Sequence, residues 1–208
     1  MLRTTGLRLS VLLGVVMLTA AAEGCAARST GVARTGETDR SPTLNPFVHF
    51  EDGDLAFLGV DGRAAQYVTS EGIFPLGFCV ANRTNTSFAF SRESFVLEDE
   101  SRRRYSPATY REFASGYGRA ETDVRLADSF LEMMRVRFSG YVFESWPLFP
   151  PRSASATVRD RIEVGRSQYT VGYLYFPLPE GGIHGKSLTL LVRAEELPET
   201  LVVNFGIR

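Results

Sequence analysis

The segment PEGGIHGKSLTL (179–190) contains a Gly-Lys-Ser sequence of the kind that ends a phosphate-binding loop. Such a loop needs Gly, four residues, and then Gly-Lys-Ser/Thr. Counting back from Gly185 places Glu180 where the first glycine is required, and a carboxylate there would repel phosphate. Both flanks are rich in β-branched and aromatic residues, whereas a phosphate loop leads into a helix. The segment therefore predicts the glycine-containing turn of a β-hairpin, and no bound nucleotide.

Few other residues have types suited to catalysis. A hydrolase triad needs a base, and the chain has two histidines. His184 falls in the predicted turn, where we expect it to be solvated, and His49 lies in FVHF, where we expect it to pack on aromatic neighbours. Neither has a partner at metal-ligand spacing. Cys79, in GFCVAN, lacks the setting of a catalytic thiol, and we expect it to be inert and half-buried. The sequence thus predicts a protein that is not an enzyme and has no catalytic residue, cofactor or metal site.

Two runs of charged residues lie close together in the sequence. Glu98, Asp99 and Glu100 alternate across a predicted strand, without the spacing and central glycine of a calcium loop. The arginines at 102–104 are compatible with an anion site, such as one for a lipid phosphate, or with a solvated turn.

The first residues have the composition of a secretion signal. Arg3 and Arg8 precede an apolar run, 9–22, that is short for a transmembrane helix. Small residues then lead to Gly24 and Cys25. This arrangement resembles a bacterial lipoprotein signal peptide covering 1–24, although Ala22 and Glu23 depart from the usual pattern. Cleavage at an ordinary signal-peptidase site and an uncleaved anchor stay open as alternatives.

The resemblance implies that Cys25 becomes the first residue and carries a diacylglycerol thioether and an amide-linked acyl chain such as palmitate. Several acyl chains give stable membrane attachment. Ala26 follows the cysteine, which implies the outer membrane if the source is Gram-negative. We therefore expect a lipid-anchored protein of the cell envelope.

Charge and cysteine content restrict the function further. Loss of 1–24 removes two arginines and one glutamate, so the net charge changes from −1 to −2. A nearly balanced charge gives no electrostatic basis for binding nucleic acid. Cys79 alone then remains, so no internal disulfide can form and stability must come from a hydrophobic core.

The chain divides into a tether and one domain. Residues 25–46 are small, polar and charged, and we expect a flexible tether spanning about 25 Å. Residues 47–208 contain many short strand-like runs separated by turn residues, which favours a β-sandwich. The predicted strands are 54–60, 63–69, 73–82, 86–90, 94–100, 156–164, 168–176, 187–194 and 200–208. The first two are joined by Asp61-Gly62, which is typical of a hairpin turn.

The middle of the domain has helical periodicity. A short helix is predicted within 107–118 and a longer one over 121–138, capped by Thr122 or Asp123. Its apolar stripe comprises Val124, Ala127, Leu131, Met134 and Phe138, widened by Phe130. We expect this stripe to cover the face of strand 73–82 that carries Gly77, Cys79 and Ala81. Residues 140–151 are expected to return to the sandwich.

Several short motifs resemble a family of secreted bacterial immunoglobulin-like domains. One runs from Asn82 through Phe95, Leu97 and Asp99 to Tyr105 and Pro107, and another comprises Gly165, Gly172, Phe176 and Pro179. The resemblance implies a mainly β fold, namely an immunoglobulin-like antiparallel β-sandwich, here with a helical insert at 108–150. It implies secretion and no activity.

Together these features predict a non-enzymatic binding or structural module on the membrane. The alternative is an envelope hydrolase acting on glycan or peptide through carboxylates of the 108–150 insert. Loops this long are usually functional or disordered, and the insert is too apolar to stay disordered. We therefore expect Met133, Val136 and Trp146 to contact an envelope protein or glycan partner. An insert that serves solely to complete the core is an equally open alternative.

Overall fold

The structure is a computed structural model that describes residues 40–68, 72–144, 149 and 160–208. Cys25 and Trp146 lie outside these residues. The described strands are β1 (Thr43–Asn45), β2 (Val48–Asp52), β3 (Ala56–Asp61), β4 (Ile73–Asn82), β5 (Phe88–Ser91), β6 (Phe95–Asp99), β7 (Arg104–Tyr105), β8 (Val142–Glu144), β9 (Arg161–Val164), β10 (Gln168–Pro177), β11 (Ser187–Val192) and β12 (Leu201–Gly206). The helices are α1 (Tyr110–Gly116) and α2 (Ala120–Arg137).

Two sheets face each other across one hydrophobic core. The first has the strand order β1-β2-β3-β4-β10-β8, and the second has the order β12-β11-β6-β7. The pair β5-β9 contributes Phe88, Phe90, Ile162 and Val164 to the same core. All described strand pairs are antiparallel except β8 with β10, which is parallel. The predicted β-sandwich with a helical insert is therefore confirmed.

Strand β4 lies at the centre of the first sheet and follows the predicted alternation. Phe74, Leu76, Phe78 and Val80 are buried in the core between the sheets. Of the intervening residues, Cys79 and Ala81 belong to a second cluster on the outer face. Because side chains on successive strand residues point to opposite faces, one ten-residue strand supplies both clusters.

Two local predictions were wrong. Residues Ala64–Tyr67 form a 3₁₀ helix rather than a strand. Asp61 and Gly62 therefore do not form a hairpin turn. The carboxylate of Asp61 instead accepts a hydrogen bond from the backbone N–H of Arg63 at 2.9 Å. An aspartate side chain that accepts a hydrogen bond from the backbone N–H two residues later favours a tight turn. The chain therefore turns after Asp61 instead of forming a second strand of a hairpin.

The predicted hairpin at 168–194 is also wrong, although its glycines behave as expected. β10 pairs with β4 and β8, whereas β11 pairs with β6 and β12. The connection therefore crosses between the two sheets. Gly181, Gly182 and Gly185 have φ angles of 75°, 74° and 75°, which non-glycine residues rarely adopt.

The insert contains both predicted helices. α1 begins with a capping box, in which Thr109 and Glu112 bond each other's backbone N–H groups. α2 begins at Ala120 after Arg119, so neither Thr122 nor Asp123 caps it. As expected, α2 covers the outer face of the first sheet: Phe130, Met134 and Phe138 pack with Cys79 and Ala81.

The buried stripe of α2 differs from the predicted one. Val124 is 42% exposed, whereas Asp123 is completely buried. Leu131 is partly buried and Phe130 takes a central position. A methyl group added at Gly77 would lie 3.6 Å from Cδ1 of Phe130, so the helix approaches the sheet closely at this glycine.

The two ends of the outer face are completed by short elements. β8 follows α2 and returns the chain to the first sheet beside β10, as predicted for 140–151. β1 occupies Thr43–Asn45, at the end of the segment predicted as a tether, and the backbone of Ser41 already bonds Asn204 of β12. No helix among the described residues is long and apolar enough to cross a membrane.

Candidate functional site

The outward surface of α2 contains two of the three residues that we expect to contact a partner. Val136 is 78% exposed. Met133 is half-buried and packs against the outer-face cluster, with its sulfur 4.0 Å from Nδ2 of Asn45. Trp146 lies outside the described residues. Val136 is thus the described residue of this group that is free to meet another molecule.

Charged residues surround Val136 on the exposed side of α2. With 100° between successive helical residues, the side opposite Phe130 and Met134 carries Glu121, Arg125, Asp128, Glu132 and Val136. Arg135 bonds Glu132 at 2.5 Å. A single apolar residue within a charged helix face has the composition of an interface rim rather than of a large hydrophobic interface.

A buried polar network joins the beginning of α2 to the sheet. Asp123 is completely buried. Its Oδ2 accepts hydrogen bonds from the hydroxyls of Tyr117 at 2.6 Å and Tyr175 at 3.5 Å, and its backbone oxygen accepts from Tyr173 at 2.8 Å. Burial, followed by nearby Asp123 or Asp61, raises the pKa of both strand tyrosines well above the usual value, so they stay protonated donors.

A second buried carboxylate lies on the neighbouring strand. Asp61 faces the outer side of β3 opposite Gly77, and a methyl group at that glycine would lie 3.1 Å from its Cβ. Burial raises the pKa of Asp61, and the backbone bond from Arg63 only partly opposes this. Among the described residues, Oδ2 of Asp61 has no hydrogen-bond partner. The sequence pattern suggested neither carboxylate as part of a buried network.

Cys79 lies beneath α2. Its side chain is completely buried, and burial raises its pKa well above 9.0. A thiol in an apolar site is a poor nucleophile. The sequence predicted a half-buried Cys79, whereas the structure buries this side chain completely.

The arginine run at 102–104 is occupied by ion pairs. Arg102 and Arg104 bond the two oxygens of Glu98 at 2.7 and 3.3 Å, and Arg103 bonds Glu180 at 3.1 Å. Burial opposes ionisation of Glu98, but the bonds from the two arginines outweigh it and lower the pKa. The charges that a bound anion would need are therefore already compensated by carboxylates.

The glycine-rich loop is held by its own contacts. Nζ of Lys186 donates to the backbone oxygen of Glu180 at 2.7 Å, and a strand follows directly. Nδ1 of His184 lies 3.1 Å from the backbone oxygen of Arg208. The loop thus lacks the strand-to-helix geometry of a phosphate-binding loop.

His49 is 5% exposed and lies on β2. Its ring is tilted against Phe205, with 6.4 Å between centroids, rather than against the aromatic residues beside it in sequence. Nδ1 lies 3.5 Å from the backbone oxygen of Ser41. The two histidines are therefore held by different parts of the fold.

The motifs that resemble the immunoglobulin-like family have structural roles. Nδ2 of Asn82 donates to the backbone oxygens of Thr86 and Val164, both at 2.8 Å, and so joins β4 to the β5-β9 pair. Asp99 accepts from the hydroxyl of Tyr105 at 2.8 Å, which links the two halves of the first motif. These contacts indicate that the motif residues stabilise the fold.

Comparisons with known proteins give weak similarities. No protein-family model matches the chain, and no curated protein matches it. Among solved structures, the “putative lipoprotein” ycdA of Bacillus subtilis aligns with 76% of this chain and 38% of its own, at 12% identity and a TM-score of 0.41. The chain therefore spans well under half of that structure.

A second solved structure, the yjhA protein of Bacillus subtilis, aligns with 77% of this chain and 96% of its own, at 9% identity and a TM-score of 0.40. With TM-scores below 0.5, neither similarity assigns a function to the chain.

Proposed function

We propose that the protein is a cell-envelope lipoprotein, anchored through Cys25, that acts as a non-enzymatic binding or structural module. The described residues begin at Arg40, and Ser41 already bonds Asn204 of β12. In this proposal the polar segment between Cys25 and Arg40, about fifteen residues long, acts as the tether. The outer membrane is the favoured location if the source is Gram-negative.

The binding role is supported by the difference between the two sides of α2. One side buries Phe130 and Met134 on the sheet, so the helix is fixed in place. The opposite side presents Val136 among charged residues. A rigid helix that offers one apolar residue within a polar face suits recognition of an envelope protein or glycan.

The hydrolase alternative depends on carboxylates of the insert, and three of them have environments that favour structural roles. Asp123 is completely buried and bonded to tyrosine hydroxyls. Glu112 caps α1, and Glu132 pairs with Arg135. A glycosidase needs two carboxylates facing one substrate cleft, which supports the non-enzymatic proposal.

Lipid attachment is tested by metabolic labelling with radioactive palmitate in a bacterial host. The wild-type chain should incorporate label and move to the membrane fraction, whereas Cys25→Ser should do neither. Equal labelling of both chains would contradict the anchor and leave the domain's binding role to be judged separately.

Partner contact is tested by crosslinking in intact envelopes followed by recovery of the tagged protein. Val136→Ser, Met133→Ala and Trp146→Ala should each reduce recovery of a crosslinked partner while the protein remains folded. Val124→Ser is the matched control, because Val124 is also an exposed valine of α2 but lies about 120° around the helix from Val136. Equal recovery with all four variants and the wild type would contradict this surface.

A further inference from the structure

A polar cleft lies between the beginning of the domain, near Arg40, and the end of β12. The proposed function does not involve it. It lies where the start of the domain crosses from β12 to the β1-β2 pair, and its volume is about 380 Å³. Its lining includes Arg40, Thr43, Asn45, His49 and Arg208. The described residues that line the cleft are basic or neutral and include no acidic side chain.

The backbone around Ser41 fixes this arrangement. Its N–H donates to the carbonyl of Asn204, and its hydroxyl accepts from the N–H of Asn204, both at 3.0 Å. Its own carbonyl lies beside Nδ1 of His49. Ser41 thus joins the two sheets and holds the preceding Arg40 at the cleft.

Gly206 allows the Arg40 guanidinium to lie against β12. A methyl group at Gly206 would lie 3.2 Å from Nη2 of Arg40 and 3.4 Å from the backbone oxygen of Lys186. A larger residue there would displace the guanidinium. The absence of a side chain on this strand residue therefore helps to shape the cleft.

The two guanidiniums of the cleft are not neutralised by the described part of the chain. Neither Arg40 nor Arg208 makes an ion pair or a side-chain hydrogen bond with any residue in the described ranges. The arginines at 102–104, by contrast, are all paired with carboxylates. Two arginines without a carboxylate partner among the described residues therefore line this one cleft.

His49 is the most buried side chain of the cleft, and the charges of both arginines act on it. Burial first, and then the charges of Arg40 and Arg208, lower its pKa despite the opposing bond to Ser41. Because both arginines line the same cleft, an anion bound there would interact with both positive charges.

We propose that this cleft binds a phosphate group, held by the guanidiniums of Arg40 and Arg208 beside the imidazole of His49. Guanidinium groups bind phosphate oxygens through paired hydrogen bonds. The volume suits one small ligand group and not a polymer. The phosphate can come from a lipid headgroup or from free phosphate. The site itself does not depend on the lipid anchor or on the α2 surface.

The test uses the full-length chain carrying Cys25→Ser, so that no attached lipid contributes to membrane binding. Inorganic phosphate is titrated at fixed ionic strength and followed by calorimetry and by the melting temperature. Arg40→Gln and Arg208→Gln should each weaken phosphate binding at least tenfold and abolish the rise in melting temperature. Arg166→Gln is the matched control, since Arg166 is exposed in the turn before β10. This substitution removes the same charge outside the cleft.

Vesicles distinguish the two sources of phosphate. Sedimentation with phosphatidylcholine vesicles is compared with and without phosphatidylglycerol. Binding to the anionic vesicles that is lost in Arg40→Gln and kept in Arg166→Gln supports a lipid headgroup, and binding of inorganic phosphate with the same pattern supports the free anion. The proposal is overturned if neither probe binds, or if all three variants bind as the wild type does. It is also overturned if Arg166→Gln weakens binding as much as the cleft variants do.

Discussion

The hydroxyl of Tyr117 donates to Oδ2 of Asp123 at 2.6 Å in the interior of the protein. Tyr117 directly follows α1, and Asp123 lies in the first turn of α2. The bond therefore fixes the junction between the two helices. Because Tyr173 and Tyr175 of β10 bond the same aspartate, the junction is also fixed to the sheet.

Removing this network should destabilise the domain without changing its surface. Tyr117→Phe should lower the free energy of unfolding by about 1–3 kcal/mol, because a buried carboxylate oxygen loses a donor. Asp123→Ala should have a larger effect, since it leaves tyrosine hydroxyls without their acceptor. Urea denaturation measures both. Tyr110→Phe is the control, because Tyr110 is partly exposed, and a loss equal to that of Tyr117→Phe would contradict the role of the network.

The two sides of α2 should differ sharply in their tolerance of substitution. Phe130→Ala should lower the free energy of unfolding by about 3–5 kcal/mol, since it leaves a cavity between the helix and the sheet. Val136→Ala should change it by less than about 0.5 kcal/mol, because the side chain is exposed. Chemical denaturation of both variants measures the difference. Similar losses would show that the helix face has been assigned incorrectly.

The sequence pattern predicted the helix α2 and the burial of Phe130, Met134 and Phe138, but not the residues buried near its beginning. Apolar spacing placed Val124 in the stripe, yet the structure buries Asp123 beside it. The reason is the row of tyrosine hydroxyls on β10, which makes this end of the outer face polar. Partners that lie fifty residues away in sequence give no local periodicity, so hydrophobicity alone could not identify them.

Cys79 should be unreactive until the domain unfolds. In the chain carrying Cys25→Ser it is the sole thiol, so reaction with a disulfide reagent reports on this site alone. Burial raises its pKa and α2 covers it, so modification should occur at the rate of opening or unfolding. In denaturant the reaction should be fast. Rapid modification of the folded chain, in the absence of unfolding by circular dichroism, would contradict the packing of α2.

Strand β4 and its motif residues were predictable because their causes are local. Alternation of Phe74, Leu76, Phe78 and Val80 follows directly from the strand period. The cleft was not predictable, because Arg40 and Arg208 are far apart in the sequence and only the fold brings them together. Composition even placed the segment before Phe47 in a tether, because short polar strands such as β1 resemble linkers. Its bonds to β12 arise from tertiary structure.

The stability of the domain should depend on pH through His49. Burial and the two arginines lower the pKa of His49 below its ordinary value of 6.5, so the unfolded chain takes up its proton at a higher pH than the folded chain does. Stability is then unaffected well above pH 6.5 and decreases as the pH falls through 6.5 toward the native pKa. His49→Gln should reduce this slope between pH 8 and 5.5, whereas His184→Gln should keep it. Sulfate, which stays a dianion over this range, should also flatten the slope in the wild type, because an anion in the cleft favours protonated His49. Thermal denaturation in sulfate and in chloride of equal ionic strength measures the effect, and a sulfate-independent slope would contradict an anion beside His49.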